Sequence, residues 1–222
     1  MTAFVLVGLS LAAQAFAVTI GMDLWPQILN HELGYDVADY GVVLLLSSIL
    51  ATAAMAAVPT AERRLGRHLA IGCAAMVAAG CAVGFCFPGD TQLTITLHIA
   101  LGLCYQTSLA LMDPACKSLA SRYLPRRFTS RSFGAVASLT SIGALLGHNL
   151  GSWLYAQEKQ GCAPFLVASV ALCGSAVTTA LARCASNTPL DAKAHQSPTP
   201  TPRRDDPEGI ALLDKAANLE DG

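Results

Sequence analysis

Residues 132–155, SFGAVASLTSIGALLGHNLGSWLY, carry no charged side chain over 24 positions. At about 1.5 Å per helical residue this stretch is long enough to cross a hydrocarbon layer of roughly 30 Å. Gly143, Gly147 and Gly151 recur every fourth residue, so a helix places them on one stripe. Small residues at this spacing let a second helix approach closely, and in lipid it is such packing that drives helices together. Ser138, Ser141, His148 and Ser152 form a second, polar stripe. A lipid-facing surface has no use for it, so this helix is expected to turn one face to its neighbours and another to something polar.

The rest of the chain repeats the pattern. Charged residues make up 13% of the sequence and hydrophobic ones 53%. A soluble domain carries about twice that charge. Six apolar runs read as membrane spans, at about 3–22, 40–58, 69–87, 92–112, 133–155 and 163–182. They give an all-α integral membrane domain over residues 1–184. Residues 185–222, rich in Pro, Ser, Thr and charge, are expected to form a disordered cytoplasmic tail. Trp25 and Tyr35, in the polar segment after the first span, suit interfacial anchors. The first span begins almost at Met1, as expected of a chain whose upstream part is missing or encoded elsewhere. Most of the eight cysteines lie within apolar runs and read as small hydrophobes. No zinc-site spacing, cofactor motif, basic aromatic patch or catalytic pairing stands out. Metal, cofactor, nucleic acid and enzyme readings therefore have no support in the sequence.

Charge fixes an orientation. With six crossings, the 62–68 turn, the 113–131 loop and the tail share one side. Of the 14 lysines and arginines, all but Lys159 fall there. The positive-inside rule assigns that side, and both termini, to the cytoplasm.

These features carry a resemblance. Residues 59–68, PTAERRLGRH, resemble the loop motif GxLaDRxGRR of the major facilitator superfamily, with Arg64, Gly66 and Arg67 matching and Arg63 standing where the acid belongs. Residues 112–155, MDPACKSLASRYLP followed by RSFGAVASLTSIGALLG, look like the second half of the tetracycline-resistance type of drug:proton antiporter and of its eukaryotic organic-anion-transporting relatives. Gly147-His148 occupies the usual Gly-Pro position, and Asp113 precedes Pro114 where a neutral residue is common.

The resemblance implies one six-helix half of a twelve-span transporter in a lipid bilayer. A second six-helix half, from a homodimer or a separate chain, would complete it. The implied cargo is a small organic solute or drug-like anion, with proton exchange as an open alternative. In that fold the first and fourth spans line the cavity and the second and fifth flank it. This nominates Gln14, His98, Tyr105, Gln106, Ser141 and His148 for the substrate or proton pathway. Arg64, Gly66, Arg67 and Asp113 are nominated as the cytoplasmic loop motif, whose charges latch neighbouring helix ends in the resembled family or simply set the topology, and Gly143, Gly147 and Gly151 for helix packing. No carboxylate is expected inside any span, with Asp23 and Asp113 at span ends. A non-transporting subunit that pairs with a full-length transporter is the alternative.

Overall fold

The structure, a computed structural model, describes residues 2–31, 34, 36–87, 92–123, 129–157 and 162–186. Among these are six helices: α1 (Thr2–His31), α2 (Val37–Leu65), α3 (Arg67–Gly84), α4 (Gln92–Arg122), α5 (Thr129–Gln157) and α6 (Cys162–Ser186). All six are long and apolar enough to cross a membrane. The chain is a multi-pass integral membrane protein.

The helices are longer than the apolar runs suggest. α1 does not stop at residue 22 but continues through Asp23 and Pro26. α2 passes Pro59 and includes most of the expected basic turn. α4 passes Asp113 and Pro114 rather than ending at residue 112. Proline interrupts one backbone hydrogen bond, and neighbouring helices can compensate for it in a bundle. Asp23 and Asp113, expected at span ends, consequently lie inside α1 and α4, as Asp39 and Glu62 lie inside α2.

Trp25 is no interfacial anchor. It is buried, with its indole against Gly102 of α4. Tyr35 and all but the first two residues of the expected tail lie outside the described residues; those two, Ala185 and Ser186, close α6.

Local chemistry sets the joints. Asp36 caps α2 by accepting from the backbone N–H groups of Ala38 and Asp39, at 2.8 and 3.0 Å. Gly66 breaks α2 from α3 with φ 78° and ψ 148°. That region is essentially closed to residues with a Cβ. No atom lies within 4 Å of where a Cβ would stand, so strain alone decides its cost. Gly66→Ala is therefore expected to lower stability by about 1–3 kcal/mol, measured as a shift in thermal unfolding in mild detergent.

The register of packing follows from named contacts. Cβ atoms built on Gly143, Gly147 and Gly151 would meet Ala12, Phe16 and Ile20 of α1 in turn. Both series rise together, so α1 and α5 run parallel, backbone against backbone. α4 runs antiparallel to α1. Gln14 donates to the Leu109 carbonyl at 3.1 Å, the Tyr105 hydroxyl donates to the Ala17 carbonyl at 2.6 Å, and Trp25 lies over Gly102. α6 is antiparallel to α1, where Ser10 meets Ser175 and Thr179 at 2.6 and 3.1 Å. It is also antiparallel to α3, where Phe85 stacks on Phe165 at 4.7 Å and His68 bonds the Thr179 carbonyl at 3.1 Å.

The start of α1 and the end of α6 thus lie at the same end of the bundle. α2 and α5 are the least covered helices, with Val42, Leu45, Ile49, Ile142, Leu145 and Trp153 all exposed.

Candidate functional site

A partly open cavity of about 350 Å³ lies between α1, α2 and α4. α1 contributes Gln14, Val18, Met22 and Trp25, a stripe that winds along one face over three turns. α2 contributes Tyr40, Leu44, Ser47 and Ser48, and α4 contributes Gln106, Leu109, Asp113 and Lys117. Thr140 of α5 closes one edge. Apolar side chains dominate the wall, and a few polar groups punctuate it, as in sites for small organic molecules.

The polar groups are differently committed. Gln14 spends its amide N–H on α4, and its Oε1 is buried without a partner among the described residues. The Ser48 hydroxyl donates to the Leu44 carbonyl at 2.9 Å, and that of Thr140 to the Ala137 carbonyl at 2.8 Å. Asp113 and Lys117, one turn apart on α4, form an ion pair at 2.6 Å.

Of the nominated pathway residues, Gln14 and Gln106 line the cavity. The structure places His98 and Tyr105 elsewhere. Both are buried, with Phe85 of α3 beside each ring at 6.1 and 6.2 Å. Their face of α4 packs on α1 and α3, and the cavity face is turned from it, through Gln106, Asp113 and Lys117. Tyr105 also fills the notch that Gly21 leaves in α1.

Ser141 and His148 are exposed on α5, outside the cavity wall. His148 Nδ1 lies 2.7 Å from Asp23 Oδ2, which joins α5 to α1 beyond the glycine stripe. Of the loop residues, Arg64 is exposed and Arg67 pairs with Glu62 at 2.5 Å across the Gly66 break. Asp113 faces the cavity rather than a loop.

Sequence reasoning passed over two residues of the cavity wall, Trp25 and Lys117, and two that pair outside it, Asp23 with His148 and Glu62 with Arg67. Trp25 looked like an anchor because it follows an acid at an apparent span end. Asp23 was assigned to the same end. Lys117 stands four residues after Asp113, the spacing of a helical ion pair, and was counted only as loop charge. Glu62 lies one position before the place where the loop motif carries its acid.

Six membrane-length helices with a partly open, partly polar cavity between the first, second and fourth define a multi-pass membrane protein. The chain belongs to the Major Facilitator Superfamily, whose sequence profile matches residues 2–215. This is a family of secondary membrane transporters rather than of enzymes. No curated protein and no solved structure matches the chain.

Proposed function

We propose that these six helices are one half of a secondary transporter that carries a small organic solute through the cavity of α1, α2 and α4. The observation that carries this reading is the cavity itself, with Gln14 and Gln106 placed within two long apolar helices. Amides at that depth are costly in lipid and are expected to face a solute path. The cavity is partly open and the flanking helices α2 and α5 are uncovered, which supports completion by a second six-helix half, either another copy or a separate chain. Alternating access then rocks the two halves about the bound solute.

The charge asymmetry supports a cytoplasmic position for the start of α1 and the end of α6. The stretch 112–155 supports the drug:proton antiporter type, in which a proton is the coupling ion. Asp23 with His148 is a carboxylate–imidazole contact available for that role.

The test is solute exchange in proteoliposomes containing the chain together with its second half. Gln14→Leu and Gln106→Leu are expected to cut exchange about tenfold, the loss of one hydrogen bond to a solute. Undiminished exchange in both variants would remove this cavity from the path.

A further inference from the structure

Several polar atoms of the cavity are free acceptors, and its two charges form one ion pair, Asp113 with Lys117. Pro26 and Pro114 lack the N–H groups that the Met22 and Ala110 carbonyls would otherwise accept from, and Met22 and Ala110 both line the cavity. Ser48 and Thr140 have spent their hydroxyl hydrogens on their own helices, so towards the cavity they offer lone pairs. Trp25 and Tyr40 add aromatic rings to the wall, and aromatic faces attract cations. The wall also holds donors: the buried Trp25 N–H, held against Gly102 without a partner among the described residues, the Tyr40 and Ser47 hydroxyls and the Gln106 amide.

Charge gives the direction. Asp113 and Lys117 neutralise each other, but they are not equally mobile. The aspartate hangs on a short side chain in mid-helix, nine residues from the end of α4, and stays in the cavity wall. Lys117 lies one turn closer to that end, and its long stem can carry the ammonium out to water. A cationic solute could take its place beside Asp113 and leave no charge uncompensated. An anion would have to displace Asp113 from Lys117, and the short aspartate side chain, 47% exposed, cannot withdraw from the cavity as the lysine can, so it would repel the anion at close range.

We propose that the cavity takes an amphipathic organic cation, an ammonium on an apolar body, which binds Asp113 in place of the Lys117 side chain. This rests on the reading of the cavity as a solute site and replaces the drug-like anion that the resemblance suggests.

The test uses binding, not flux, so its failure is separable from failure of transport. The purified full chain in nanodiscs of zwitterionic lipid is titrated calorimetrically with hexylammonium, 1-hexanol and hexanoate, and empty nanodiscs serve as the blank. Hexylammonium is expected to bind about tenfold tighter than hexanol, and hexanoate more weakly than either, the scale of one partly solvated ion pair. Lys117→Met removes the competitor and is expected to strengthen hexylammonium binding by a similar factor. Asp113→Asn is expected to abolish the preference. Saturable binding of hexanoate as tight as that of hexylammonium, a preference that survives Asp113→Asn, or no saturable binding of any probe would overturn the proposal.

Discussion

Gly147→Ala is expected to destabilise the bundle by about 2–3 kcal/mol, although alanine is the better helix former. The new Cβ would stand 2.5 Å from the Phe16 carbonyl oxygen of α1. That obstacle is backbone, so no rotamer change relieves it, and α1 and α5 must separate along their whole parallel seam. Gly143 meets the Ala12 carbonyl more closely still, and its substitution should cost at least as much. Gly151 meets only the Ile20 side chain, at 3.0 Å, which can yield, so Gly151→Ala should cost less than either. Gly134, on the same helix with no atom within 4 Å, serves as the control. There alanine should be neutral or stabilise by up to about 1 kcal/mol. Thermal unfolding of the four variants in one detergent gives the order. Equal costs at Gly134 and Gly147 would show that helix propensity, not the α1 contact, sets the stability of α5.

That stripe was legible before any coordinates because spacing alone defines a helical face. Its partner was not, since nothing in residues 8–20 names α5 as the neighbour. Span count and alternation were legible for a similar reason: runs without charge are conspicuous, and arginines gather in alternate loops.

Helix ends were not legible, and the cause is physical. Hydropathy ends a span where charge or proline begins. The backbone ends a helix only where its hydrogen bonds fail. Asp23 continues α1 because His148 faces it, and Asp113 continues α4 because Lys117 follows one turn later. The candidate site suffered most, because it lies where those extensions run. Gln14 and Gln106, in mid-span, were found. Trp25, Asp113 and Lys117 looked like boundary residues until the helices carried them into the wall of the cavity. His98 and Tyr105 show the converse. A polar residue in mid-span may be nominated by type, but the face of α4 that it occupies decides whether it meets a solute or Phe85.

Glu62→Ala is expected to be the other large loss, about 3 kcal/mol or more, as when one partner of a buried ion pair is removed. Glu62 and Arg67 meet at 2.5 Å with their side chains only 12% and 22% exposed, so the orphaned guanidinium could not turn freely to water. Arg67 Nη1 already lacks a partner among the described residues, which leaves the site no reserve. The pair spans the Gly66 break, and the next residue, His68, is tied to the Thr179 carbonyl on α6 and to the Tyr123 hydroxyl at the end of α4. A carbonyl can only accept, so His68 carries its proton on Nδ1 and accepts from Tyr123 on Nε2. Loosening Glu62 therefore weakens the link between α2, a wall of the cavity, and α3, and solute exchange should fall along with stability. Arg63 fills the position where the loop motif of the superfamily places its acid, but it is exposed, and Arg63→Ala should lie within about 0.5 kcal/mol of the parent. Removing both charges, by Glu62→Ala with Arg67→Met, should recover part of the single loss, since no buried charge is then left unpaired. If Arg63→Ala cost as much as Glu62→Ala, the motif position rather than the observed ion pair would be what holds α2 in place.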